Sequence, residues 1–323
     1  MKVIAATGKE EIATVYIAKL SEGRLIEFVE AIQPPLPREE KWVLLVSTLF
    51  GCPVRCVMCD AGGDYRGKLS KEEIFAQIDY LIWKRFPNGV IPARKFKIQF
   101  ARMGEPAFNP HVLEVLDELP RRYDAPGLMP SLSTIAPLGS EDFFEGLLEI
   151  KQKNYSNGRF QLQFSIHTTD PHLRDWLIPA RKWDFSEIAD YGERFYKKGD
   201  RKVTLNFALP KGAPLKADIL CRYFSPEKFF IKITPLNPTY RGVERGLASY
   251  IDPYREGDDY QVVQELRAAG YEVIVSIGEV EENHIGSNCG QYVMKHLHAK
   301  EDIEGGYEYC MDLREEIRIR SDN

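Results

Sequence analysis

No stretch of this 323-residue sequence approaches the roughly 18–20 consecutive apolar residues of a membrane-spanning helix, so none is expected. The opening MKVIAATGKEE is interrupted at Thr7–Glu11, too early for a secretory signal, and the expected compartment is the cytoplasm. An excess of one charge is also missing. Lys and Arg number 43, Asp and Glu 48, and the net charge is −5. The acidic tail 299–323, with 4 basic and 8 acidic residues, accounts for −4 of it. That balance excludes a protein that grips nucleic acid by bulk charge alone. One basic run stands out: Lys84, Arg85, Arg94, Lys95, Lys97 and Arg102, with no acid between 84 and 102. It reads either as a local basic face or as a cationic helix end followed by a solvated loop. Internal repeats and low-complexity tracts are absent. Cysteine is scarce, with 6 in the chain, and a disulfide scaffold is excluded.

Strand and helix signals alternate along the chain. Ala13–Leu20 and Arg24–Ile32, joined by Ser21-Glu22-Gly23, predict a β-hairpin. Pro34, Pro35 and Pro37 make a stiff linker after it. Strands are predicted over Trp42–Ser47, Lys95–Ala101, Met129–Ile135, Phe160–Ile166, Lys202–Leu209, Phe229–Pro235 and Glu272–Ile277. Between them lie helical segments, the first opened by the capping box Ser70-Lys71-Glu72-Glu73. The expected fold is therefore α/β: a partial or complete parallel β/α barrel over 41–298, with a small β extension over 1–40 and an acidic tail.

Three of the six cysteines fall within eight residues, as Cys52-Pro-Val-Arg-Cys56-Val-Met-Cys59. Shuffling would produce that spacing only about 0.002 times per sequence, so it reads as ligand chemistry. The loop follows the Trp42–Ser47 strand. Three thiolates in a tight loop suit a soft metal or an iron–sulfur cluster. Structural zinc wants a fourth ligand, and the nearest histidine, His111, is 52 residues away. An electron-transfer cluster would also want a fourth cysteine. Three leave one iron of a 4Fe–4S cluster open, as a catalytic metal requires. A CxxxCxxC loop after the first strand of a β/α barrel resembles the radical SAM superfamily. In that superfamily the open iron binds S-adenosylmethionine (SAM), and reduction cleaves SAM to a 5′-deoxyadenosyl radical.

Further polar residues fall at or just past the strand ends, the face where β/α barrels build active sites. They are Gly104-Glu105-Pro106, Ser133-Thr134, Ser165-Ile166-His167, Asn237 and Cys289. Taken singly, Gly-Glu-Pro is an ordinary turn, Ser and Asn are common caps, and His167 suits a structural role. With Arg102-Met103, Asn109-Pro110, Leu173-Arg174-Asp175, Ile233–Pro238 and Ile285–Gln291, their order resembles the RlmN/Cfr group of radical SAM ribosomal-RNA adenine methyltransferases, over about Trp42–Val293.

The resemblance implies that Cys52, Cys56 and Cys59 hold a 4Fe–4S cluster. It implies that Gly104 and Glu105 bind the methionine ammonium of SAM, and that Ser133, Ser165, His167 and Asn237 contact the rest. Cys289 would carry a methyl group: one SAM methylates its sulfur, a second supplies the radical, and the methylene adds to an sp² carbon of adenine. Reduced flavodoxin or ferredoxin is the implied electron donor and RNA the implied partner. Three positions depart from the group. Its resolving cysteine, seven residues before the first cluster ligand, is Leu45 here, with Cys221 or Cys310 as substitutes that nothing places nearby. Only about 40 residues precede the first barrel strand, where the group has a helical RNA-binding module. Its glycine two residues before Gly-Glu is Arg102. For its proton-abstracting glutamate, Glu27 and Glu30 are candidates, read most simply as solvated hairpin residues. The long 237–259 connection, with Tyr240, Arg241, Arg245, Tyr250, Tyr254 and Arg255, reads as a base-stacking arm, a lid or a plain surface loop.

Overall fold

The computed structural model describes residues 1–255, 257, 259–289 and 291–293. Among these, ten strands form one sheet in sequence order. They are β1 (Lys2–Lys9), β2 (Ala13–Lys19), β3 (Leu25–Ala31), β4 (Lys41–Val46), β5 (Lys95–Phe100), β6 (Leu128–Thr134), β7 (Gln161–Ser165), β8 (Val203–Ala208), β9 (Phe229–Thr234) and β10 (Val273–Val275). The predicted hairpin forms as β2 and β3, and β1 adds a third antiparallel strand to it. β3 then pairs antiparallel with β4, through Val29–Leu45 and Ala31–Val43. The first 31 residues are thus continuous with the main sheet. From β4 to β10 every neighbouring pair is parallel. Parallel neighbours need a crossover, and each of these crossovers contains a helix.

The helices are α1 (Lys71–Arg85), α2 (His111–Arg122), α3 (Glu141–Asn154), α4 (Pro171–Leu177), α5 (Phe185–Phe195), α6 (Ala217–Tyr223), α7 (Tyr240–Glu244), α8 (Gln261–Ala268) and α9 (Glu281–Ile285). Ser70 caps α1 as its sequence predicts: its hydroxyl accepts from the Glu73 N–H and Glu73 accepts from the Ser70 N–H. Asp184 and Glu187 repeat the device on α5.

Side chains alternate across a strand, and here the two faces differ in kind. One face of β4, β5 and β9 is Trp42, Leu44, Val46, Phe96, Ile98, Phe100, Phe229, Ile231 and Ile233, all buried in the main apolar core under the helices. Each fully buried side chain of this size contributes about 1.5–3 kcal/mol. The opposite face carries Lys41, Lys95, Lys97, Gln99, Gln163, Ser165 and Lys232, all only partly buried. This face is concave. The ammonium groups of Lys97 on β5 and Lys232 on β9 lie within electrostatic reach of each other. A flat sheet would hold those strands about 19 Å apart. The sheet therefore curls around a polar lumen that solvent enters. A second apolar cluster closes one side of it: Ile285, Tyr292 and Val293 pack on Ile4, Val15, Ile17 and Val29.

The basic run 84–102 does not form one surface, which corrects the reading as a local basic face; Lys84 and Arg85 do end α1 as a cationic helix terminus, but the residues after them are not all a solvated loop. Lys84 and Arg85 turn to buried Glu30, Lys95 and Lys97 alternate into the lumen, and the Arg102 side chain is fully buried. The 237–259 connection is likewise not one aromatic arm. It contains α7, Tyr250 stacks near Tyr260, and Arg255 pairs with Asp259, leaving Tyr254 outermost. No helix among the described residues is long and apolar enough to cross a membrane.

Candidate active site

The cysteine loop leaves β4 at its C-terminal end and is folded back by its own backbone. Cys52 and Gly63 exchange both backbone hydrogen bonds, at 3.3 and 2.9 Å, and the Cys59 N–H donates to Cys56 at 3.2 Å. Neighbours fix the loop from two sides. The Val57 N–H donates to Leu177 of α4, and the Thr239 hydroxyl donates to the Met58 carbonyl. Asp60 accepts from the N–H groups of Tyr240 and Arg241, both at 3.0 Å, so its carboxylate sits at the start of α7. Sequence reasoning missed Asp60; its position one residue after Cys59 was the available signal.

The three thiols stand close enough to repel as thiolates. Burial pushes Cys52 up to about 11 and Cys59 up to about 12, and Cys56 well above its usual value, with mutual repulsion adding to each of the last two. A cationic group among them would reverse that sign. Among the described residues no set of three His, Cys, Asp or Glu is gathered tightly enough for a single metal ion. Each thiolate on a 4Fe–4S cluster binds its own iron, so three neighbouring thiols on one loop suit that larger body.

Gly104 and Glu105 adjoin this loop, since the Glu105 N–H donates to the Cys52 sulfur. Gly104 has φ +100, and a Cβ there would stand 2.5 Å from the Leu49 side chain, so this turn needs glycine. The Glu105 carboxylate is buried and accepts from the Thr134 hydroxyl, the Ile135 N–H at 2.9 Å and the Ala107 N–H at 3.1 Å. Burial still pushes it up to about 7, with no cation among the groups that oppose the shift. A buried carboxylate beside the cysteine loop with polar but no cationic partners fits a ligand ammonium.

The other sequence-predicted residues divide. Ser133 and Ser165 face the lumen at the ends of β6 and β7, and Ser133 accepts from the Gln163 amide at 3.2 Å. His167, at φ +67, accepts on Nδ1 from the Ala208 N–H at 3.1 Å. Burial and Arg174 hold it down to about 4, so it is neutral with its proton on Nε2, free to donate. Asn237 lies against Cys289 itself, its amide 3.3 Å from the sulfur. Cys289 is solvent-accessible, yet protein surrounds it on most sides, as in a cleft. Burial raises the thiol, while Asn237, Arg102 and Lys232 pull it back. Cys59 feels the Cys289 charge, which puts the carrier candidate within reach of the cysteine loop.

Glu27 and Glu30 are both buried, which corrects their reading as solvated hairpin residues. Glu30 joins Arg85, Lys84 and Tyr16 under α1, away from the lumen. Glu27 points toward the lumen, but both its oxygens are engaged. One meets Arg102 at 2.7 Å and the other accepts from the Val293 N–H. Arg102 also donates at 3.0 Å to the Gly286 and Ser287 carbonyls, so the residue in place of the group's glycine ties the Cys289 loop to Glu27. Leu45 lies on the lumen face, paired with Val29 and Gln99. Cys221 is exposed on α6 beside Tyr271, in the outer layer away from Cys289, and Cys310 lies outside the described residues.

No protein-family model matches the chain. Among curated proteins, the probable dual-specificity RNA methyltransferase RlmN of Salinispora tropica is 27% identical over 285 residues, covering 84% of this chain and 70% of that protein. The protein of the same description from Thermus thermophilus is 24% identical over 298 residues, covering 91% and 78%. Among solved structures, a radical SAM methyltransferase from Sphaerobacter thermophilus superposes with a TM-score of 0.65 at 22% identity, covering 90% of this chain and 80% of that one. The chain is a relative of the RlmN-type radical SAM methyltransferases and has the α/β fold of a radical SAM methyltransferase.

Proposed function

We propose that this protein methylates an sp² carbon of an RNA adenine, or of a related heteroaromatic ring, through a methyl group carried on Cys289. Cys52, Cys56 and Cys59 would hold a 4Fe–4S cluster. That cluster, when bound, supplies the electron that splits SAM. Glu105 would pair with the methionine ammonium, Ser133 and Ser165 would offer hydroxyls, and neutral His167 would offer its Nε2 proton. The observation that carries the reading is the placement of Cys289: accessible, hydrogen-bonded to Asn237, and within electrostatic reach of Cys59. To accept a methyl group its sulfur must attack as a thiolate. Asn237, Arg102 and Lys232 all favour that form against burial. Reduced flavodoxin or ferredoxin is the proposed electron source, and the cytoplasm the proposed compartment.

A second reading has the same site act on a small molecule or peptide without a methyl-cysteine. Leu45 at the resolving position favours it, since Cys221 does not reach Cys289 and the group's release route needs a second thiol. Cys289→Ala separates the two. Under the proposal, this variant still releases 5′-deoxyadenosine on reduction but loses methylated product by at least a hundredfold, about 2.7 kcal/mol in rate. Full product formation by Cys289→Ala, followed by isotope from the SAM methyl, would overturn the methyl-carrier role.

A further inference from the structure

Apart from the cysteine site, the lumen holds a group of charges that the proposed chemistry does not use. Lys41 and Lys95 are register partners on β4 and β5, Lys97 lies two residues further along β5, and Lys232 faces them from β9. All four are partly buried, and all have their pKa lowered by burial, Lys97 to about 7. Elsewhere the protein pairs buried or half-buried lysine side chains with carboxylates: Lys84 with Glu30, Lys151 with Asp200, Lys182 with Asp175, Lys228 with Glu193. In the lumen it does not. Lys41 donates to the Gln33 amide oxygen, and no described carboxylate forms an ion pair with Lys95, Lys97 or Lys232. Glu282 reaches Lys41 and Lys232 only through its field, while Arg201 adds positive charge beside Lys95 and Lys97.

Like charges gathered without counterions are costly unless a ligand supplies the missing anion. Solvent reaches this face, so a ligand can too. Lys232 is also within electrostatic reach of Cys289, which joins the lysines to the methyl carrier. Several ammonium groups converging from strands that curl around one space suit a multiply charged anion more than a single carboxylate, and lysine binds phosphate as a point charge.

We propose that the lumen lysines Lys97 and Lys232, with Lys41 and Lys95 behind them, form a subsite for the phosphate of a nucleotide whose base lies at Cys289. The inference rests on the nucleic-acid reading above and deepens it. The subsite holds one end of the acceptor deep in the sheet while the ring carbon faces the sulfur.

Isothermal titration of the cluster-loaded protein at low ionic strength tests this, with inorganic phosphate, AMP and adenosine as the probes. AMP and phosphate should compete for one site, with AMP the tighter, and adenosine should bind at least tenfold more weakly than AMP. Lys97→Met and Lys232→Met should each weaken AMP by tenfold or more, while the surface change Lys198→Met leaves it unaltered. Neither lumen variant should melt below the parent, because each removes an unpaired charge. Parent-like AMP affinity in both lumen variants, or adenosine binding as tightly as AMP, overturns the proposal. AMP no tighter than inorganic phosphate overturns the nucleotide assignment. Methylation of Cys289 is read separately by mass, so loss of the phosphate subsite and loss of the methyl-carrier role give different results.

Discussion

Cys56→Ala should strip the protein of iron and abolish SAM cleavage, the largest change expected from any single substitution here. Cys56 is the middle of three thiols that share one loop, and its own shift is dominated by burial and by Cys59 and Cys52. With three sulfurs for a cluster of four irons, none is redundant. Removing one leaves two anchors on a loop whose fold rests on the Cys52–Gly63 and Cys59–Cys56 backbone bonds, which the substitution leaves in place. The variant should therefore fold, with a melting temperature near that of the cluster-free parent. Iron analysis and 5′-deoxyadenosine release after anaerobic reconstitution check it. Full iron content and undiminished cleavage would contradict the assignment of these three residues.

Arg102→Met should cost about 3–5 kcal/mol, because it leaves the Glu27 carboxylate buried without its cation. The side chains of both partners are fully buried at a separation of 2.7 Å. The guanidinium also holds the Gly286 and Ser287 carbonyls, so the Cys289 loop loses its attachment at the same time. The melting temperature should fall by about 4–7 °C, and SAM-dependent methylation of Cys289 should fall with it. Adding Glu27→Gln removes the stranded charge and should restore most of the melting temperature without restoring the loop. That split between stability and methylation distinguishes a clamp from a purely structural ion pair. A single variant as stable as the parent would contradict the pairing.

Much of the fold could be read from the sequence because strand periodicity is local. Lys95-Phe-Lys-Ile-Gln-Phe100 alternates at period two, and the strand forms over those residues. The same alternation announced that Lys95 and Lys97 share a face, yet a count of charges along 84–102 obscured it. β1 escaped notice because it is an edge strand with mixed polarity. α7, at five residues, is too short for helical periodicity to register. The strand-end placement of Gly104, Ser133, Ser165 and His167 was legible in the sequence. The Asn237–Cys289 contact and the Arg102–Glu27 pair were not, since their partners lie 52 and 75 residues apart and meet only after the sheet curls. Arg102 was visible as a departure from the group it resembles; only the fold shows that it meets the glutamate on β3.

The most direct test is peptide mass spectrometry of Cys289 after anaerobic incubation of the reconstituted protein with SAM and reductant. The Cys289 peptide should gain one methyl group, labelled when the SAM methyl is labelled, and Cys221 should stay unmodified. An unmodified Cys289 thiol in a preparation that is turning over methylated product would contradict it.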